Sequence, residues 1–131
     1  MPANRKETFT KKERLISRKE IGRLFEEGNR FTVSPFRVIW GITNEERDFP
    51  VKFLVSVPKR NMKKAVDRNL IKRRVKEAYR KQKDELYSVL EGKEQKINLI
   101  LVYSSSTSEQ YEVLYDKISN IIDRLKKAID Q

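Results

Sequence analysis

Arg68, Lys72, Lys76 and Arg80 stand four residues apart, so on an α-helix their side chains form one continuous cationic ridge. They lie within the run Lys59-Arg60-Asn61-Met62-Lys63-Lys64-Ala65-Val66-Asp67-Arg68-Asn69-Leu70-Ile71-Lys72-Arg73-Arg74-Val75-Lys76-Glu77-Ala78-Tyr79-Arg80. Like charges at this spacing destabilise an isolated helix by about 0.2–0.5 kcal/mol per adjacent pair, a strain that a bound polyanion relieves. Arginine forks grip phosphate through paired hydrogen bonds, and Asn69 adds a neutral donor and acceptor suited to a sugar hydroxyl or a base edge. A merely solvated helix face ordinarily mixes Glu with Lys; this one is almost purely basic. The chemistry implied is the binding of phosphate.

Protein side-chain catalysis is disfavoured. The chain has no His and no Cys, so it lacks both the commonest general acid–base group at neutral pH and a thiolate nucleophile. Its acidic residues are scattered and form no recognisable metal-binding cluster. Net charge is +11, and the stretch from Lys59 to Lys83 holds twelve basic residues against two acidic ones, Asp67 and Glu77. The remainder of the chain is close to neutral. A patch of this kind holds a nucleic acid mainly by phosphate contacts that release counterions.

The elements that must position these residues follow from the hydrophobic pattern. The 131 residues suffice for one modest core. Residues 1–13 lack a period and are expected to form a mobile tail, leaving 14–131 as a single domain. Ser17 and Glu20 make an S-x-x-E capping box; Ile21, Leu24 and Phe25 share a face, and Gly28 suits a left-handed helix end. A helix over about 18–27 follows. Phe31 to Trp40 is a strand that Pro35 marks with a bulge or an edge, or splits in two, and Val51 to Val57 is the next strand, stopped by Pro58. Alternation sorts Phe36, Val38, Trp40, Phe53, Val55 and Val57 onto a core face. Arg37, Ile39, Lys52, Leu54 and Ser56 fall on a mixed face that stays partly open.

From Ala65 to Leu90 the period is helical, with Val66, Leu70, Val75, Ala78, Tyr79 and Leu86 as the apolar stripe. Ile97 to Tyr103 reads as a central strand covered on both faces. A last helix over about 108–128 turns Tyr111, Leu114, Tyr115, Ile118, Ile122 and Leu125 inward. The order α-β-β-α-β-α gives an α+β class: a two-layer α-β sandwich with helices against a sheet. No stretch approaches the roughly 20 apolar residues of a membrane span, and Met1 to Glu13 is polar rather than signal-like. With no disulfide framework available, a cytoplasmic location is expected.

The basic run resembles the signature of the ribonuclease P protein family, roughly a basic turn followed by A-V-x-R-N-R-x-K-R and an arginine-rich helix. Ala65, Val66, Arg68, Asn69, Lys72 and Arg73 match, as do Ser56 and the Lys59-Arg60 pair before them. Leu70 replaces the expected second arginine of R-N-R; Arg74 and Lys76 stand close enough to substitute for its charge. The resemblance spans roughly residues 10–128. It implies a fold similar to the ribosomal protein S5 domain 2, with a left-handed βαβ crossover. It also implies the protein subunit of a ribonucleoprotein endonuclease that matures the 5′ end of tRNA, in which a required RNA subunit with bound Mg²⁺ carries the catalysis. Partners are then the ribonuclease P RNA and precursor tRNA, with no DNA, no membrane and no cofactor held by the protein alone.

By position, the RNA-subunit surface would comprise Lys59, Arg60, Lys63, Lys64, Arg68, Asn69, Lys72, Arg73, Lys76 and Arg80. A leader-binding cleft would comprise Ile21, Phe25, Arg37, Ile39, Leu54 and Ser56. Ile21 and Ile39 stand where the family often carries aromatic side chains, and Ile21 and Phe25 equally suit plain core packing. Two other classes share the charge. A ribosomal or RNA-chaperone protein would not favour precursor tRNA over its mature form. A DNA-binding helix-turn-helix needs adjacent helices, and strands separate the first two here.

Overall fold

The computed structural model describes residues 9–130. A short 3₁₀ turn, Lys11–Glu13, precedes helix α1 (Arg18–Glu27), strands β1 (Asn29–Val33), β2 (Phe36–Thr43) and β3 (Val51–Ser56), helix α2 (Ala65–Gly92), strand β4 (Lys96–Tyr103) and helix α3 (Tyr111–Ile129). The class is α+β, as expected. Pro35 divides the aromatic stretch: with Ser34 it forms the turn between β1 and β2, so the stretch is two antiparallel strands.

The sheet order is β1-β2-β4-β3, in which β2 and β4 are antiparallel and β3 and β4 parallel. Strand β4 is therefore interior, in keeping with its near-continuous apolar run, which only Asn98 interrupts. The 28-residue α2 makes the crossover from β3 to β4. Helices α2 and α3 cover one sheet face, where Phe36, Val38, Trp40, Phe53, Val55, Leu99 and Leu101 meet Ile71, Val75, Leu86, Ile118 and Ile122 in the main core. On the other face α1 covers part of the sheet through a second cluster of Leu15, Leu24, Ile39 and Ile100. Full burial of each such side chain contributes about 1.5–3 kcal/mol.

Several expectations are corrected. Gly28 is not left-handed; its φ of −71° and ψ of 159° are extended. What it supplies is room, because a Cβ there would lie 2.5 Å from the Leu24 carbonyl oxygen and 3.0 Å from Ile39 Cγ2. Gly28→Ala is expected to cost about 1–3 kcal/mol by overpacking, read from the midpoint of urea unfolding. An unchanged midpoint would mean that the α1–β1 junction yields freely.

The Ser17 hydroxyl accepts from the Glu20 amide, but the Glu20 carboxylate meets Asn98 Nδ2 at 3.4 Å. The reciprocal capping box is instead Thr10 with Glu13. Val66 is 74% exposed, since the stripe of α2 begins at Ile71 and continues through Tyr87 and Leu90. Helix α3 starts at Tyr111 because Thr107 and Glu109 are tied back: Tyr103 Oη donates to the Thr107 carbonyl at 2.6 Å and Arg74 to the Glu109 carbonyl at 2.6 Å.

Of the supposed mobile tail, residues 1–8 lie outside the described residues, while residues 9–13 are docked on the core. Phe9 meets Phe53 and Tyr79 edge-on, with centroids 5.9 and 6.0 Å apart. Glu13 is 1% exposed, and its Oε2 lies 2.5 Å from both Lys83 Nζ and Tyr87 Oη. Thr10 donates to the other carboxylate oxygen from its amide and its hydroxyl. A polar, aperiodic segment can dock when its one carboxylate finds a buried lysine, a pairing that periodicity does not reveal.

Candidate nucleic-acid interface

The polypeptide between β3 and α2 carries Lys59, Arg60, Lys63 and Lys64 outward, all exposed. Met62, 5% exposed, anchors the loop to the core, and the amides of Asn61 and Met62 both donate to the Pro58 carbonyl. Arg68 completes the anchoring: its Nη1 donates to the carbonyls of Met62 and Lys63 at 3.0 and 2.7 Å. Arg68 thus holds the basic loop against the first turn of α2, a role the ridge alone did not suggest.

Further along α2, Asn69, Lys72, Arg73, Lys76 and Arg80 line a shallow depression together with Phe9 and Glu77. Arg80 forms a paired ion bridge with Glu77, 2.6 and 3.0 Å, so part of its charge is neutralised. Lys72, Arg73 and Lys76 form no ion pair with any described carboxylate. Lys76 is held below the ordinary lysine pKa by its own burial and then by the charges of Arg14 and Lys72. This cluster of like charges is a standing repulsion that phosphate would relieve.

Two members of the basic run face elsewhere. Lys83 is 2% exposed and belongs to the buried pair with Glu13. Arg74 clamps the start of α3, so it does not replace the charge missing at Leu70. Lys76 remains on the groove and can do so.

The second candidate surface is the strip of sheet that α1 leaves uncovered. Strand register sets Thr32, Arg37, Val102 and Ser56 side by side across all four strands. Arg37 is exposed, while Ser56 and Leu54 are half-buried. Phe25 is 40% exposed on α1, and Ile21 packs partly into the second cluster. Ile39 must be removed from the expected cleft: it is 2% exposed, sealed with Leu15, Leu24 and Ile100 at the sheet centre. Thr32 and Val102 take their place on this strip. Neither stood out in the sequence, because only the pairing of β1 with β2 and of β2 with β4 brings them beside Arg37.

A family model described as Ribonuclease P matches residues 9–126. The chain belongs to the ribonuclease P protein family. The ribonuclease P protein component of Porphyromonas gingivalis is 44% identical over 86 residues, which is 66% of this chain and 63% of that protein. This chain therefore spans less than two thirds of that relative's length. The Thermotoga petrophila ribonuclease P protein component is 27% identical over 125 residues, covering 92% and 97% of the two chains.

Among solved structures, the RNase P proteins of Staphylococcus aureus and Thermotoga maritima share the fold. Their TM-scores are 0.67 and 0.65 at 17% and 20% identity, each over 86% of this chain and 94% and 96% of theirs. The family match begins at Phe9, so the docked segment lies within it. Among the described residues no group of three His, Cys, Asp or Glu side chains could hold a metal ion, and no helix is long and apolar enough to cross a membrane.

Proposed function

We propose that this chain is the protein subunit of a ribonuclease P ribonucleoprotein, which removes the 5′ leader from precursor tRNA in the cytoplasm. The observation that carries the reading is the convergence of Lys72, Arg73 and Lys76, without described carboxylate partners, on one groove of α2. That groove and the loop from Lys59 to Lys64 hold the RNA subunit. The open sheet strip of Thr32, Arg37, Leu54, Ser56 and Val102, together with Phe25 of α1, receives the single-stranded leader, whose bases stack on apolar surface. Hydrolysis belongs to the RNA and its Mg²⁺; the protein adds leader contacts and screens repulsion between two RNAs.

Reconstitution tests this. The purified protein is added to a bacterial ribonuclease P RNA at low Mg²⁺, and leader release from a precursor tRNA is followed. Cleavage that needs both components supports the reading. RNA binding without stimulation would replace it with a ribosomal or chaperone-like role. Within that assay, Phe25→Ala is expected to lower the preference for precursor over mature tRNA about tenfold, the worth of one stacked base. Equal weakening of both tRNAs would remove Phe25 from the leader surface.

A further inference from the structure

One aromatic ring stands among the phosphate-binding side chains of α2, and it comes from another part of the chain. Phe9 lines the same depression as Asn69, Lys72, Arg73, Lys76 and Arg80. Its position is fixed from several directions. The ring meets Phe53 and Tyr79 edge-on, and the Arg14 guanidinium lies 5.8 Å from its centroid. The adjoining backbone is locked by the Thr10–Glu13 capping box and by the Glu13–Lys83 pair. Arg14 also bridges to Phe53 of β3. Phe9 nonetheless stays partly accessible on the groove side.

A basic groove that binds only a phosphate backbone has no need of an aromatic wall. Bases of a regular duplex are stacked on one another and cannot reach such a ring; only an unpaired, unstacked base can. We propose that this depression is a binding site for a single unstacked ribonucleotide of the RNA partner. Its base stacks against Phe9, Asn69 meets its edge or sugar, and its phosphates lie on Lys72, Arg73 and Lys76. The inference rests on the assignment of the α2 groove to RNA and adds that the groove reads an exposed base there.

The ring is pre-set, so little freedom is lost on binding, unlike an aromatic on a loose terminus. Burial first, and then the charges of Arg14 and Lys72, depress the Lys76 pKa; a phosphate placed among these three cations would remove the repulsive part.

Nuclear magnetic resonance of the full chain with isotope-labelled phenylalanine separates the possibilities, because Phe9 and Phe25 report on the two surfaces independently. The probes are an oligoadenylate and an abasic ribose-phosphate oligomer of the same length. Expected are upfield ring-current shifts at Phe9 with the oligoadenylate and none with the abasic oligomer, while α2 amides move with both. Phe9→Leu, which keeps the apolar contact with Phe53 and Tyr79, is expected to weaken binding to a bacterial ribonuclease P RNA about tenfold. Movement of α2 amides with Phe9 unmoved would overturn this inference and leave the groove as a plain phosphate surface. No movement on α2 with either oligomer would overturn the RNA assignment of the groove itself.

Discussion

Replacing Lys83 by Met is expected to destabilise the protein by about 3–5 kcal/mol, because it leaves the Glu13 carboxylate buried beside Tyr87 without its counter-charge. Such a loss rivals the whole stability of many domains of this size. Glu13→Gln removes the carboxylate that faces the buried Lys83 ammonium and should also destabilise the fold. The Glu13→Gln, Lys83→Met double variant should lose clearly less than the sum of the singles, since neither charge is then left alone. Urea unfolding of the three variants supplies the comparison. A loss below about 1 kcal/mol in the singles would mean that water reaches the pair, as it does at exposed ion pairs.

The same pair sets an acid limit. Burial works against ionisation of Glu13, but hydrogen bonds from Lys83, the Thr10 amide and Tyr87, with the Lys83 charge, outweigh it and hold the carboxyl below its ordinary value of 4.5. A carboxyl whose folded pKa is depressed stabilises the fold above its unfolded pKa and loses that contribution as pH falls through the folded one. Stability should therefore decline as pH drops below about 4.5. In the double variant the decline should be smaller. Tyr87 and Tyr79 stay protonated throughout, since burial pushes both hydroxyls well above the ordinary tyrosine value.

Changing Lys72, Arg73 and Lys76 together to Gln should weaken binding to a ribonuclease P RNA by roughly a hundredfold or more at moderate salt. The slope of log affinity against log salt should fall by about 2–3, one phosphate contact for each cation removed. The fold should survive, because Arg73 is exposed and the two lysines are only half-buried. A large affinity loss with an unchanged salt slope would point to altered structure in place of lost phosphate contacts. A pH effect accompanies this. Phosphate favours the charged form of Lys76, whose pKa in the free protein is depressed by burial, Arg14 and Lys72. Affinity should fall as pH rises toward that depressed value, earlier than an ordinary lysine would allow, and the Lys76→Gln variant should lack this early fall.

Much of the framework was legible because it rests on local pattern. Ser17 and the spacing of Ile21 and Leu24 set α1 over Arg18–Glu27. Alternation put Phe36, Val38 and Trp40 on the core face, and the near-continuous apolar run from Ile97 marked β4 as interior. That Lys72, Lys76 and Arg80 share one side of α2 was equally readable, because four-residue spacing is a local property of a helix. What escaped depends on contacts distant in sequence. Lys83 looked like one more surface cation until Glu13, 70 residues away, proved to be its partner. Ile39 sat correctly on the second sheet face, but only the packing of Leu15 and Leu24 over it shows that it is sealed. Thr32 and Val102 needed the strand register, and Phe9 needed the docking of a segment that carries no hydrophobic period.

The segment before α1 also acts on the sheet's own margin. With the order β1-β2-β4-β3, strand β3 has one long side without a strand neighbour among the described residues. Its sequence, Val51-Lys52-Phe53-Leu54-Val55-Ser56, is rich in β-forming apolar residues, the kind that invites pairing between molecules. Arg14 bridges to Phe53 along this side in parallel, and the Leu15 amide donates to the Phe53 carbonyl at 3.0 Å. The bridge ends there, since the chain turns away into α1. A stub that occupies the rim and then stops offers an incoming strand no continuous row of partners. Because the buried Glu13–Lys83 pair lies just before this stub, a molecule that released the pair and the stub together would uncover an apolar edge open to strand pairing.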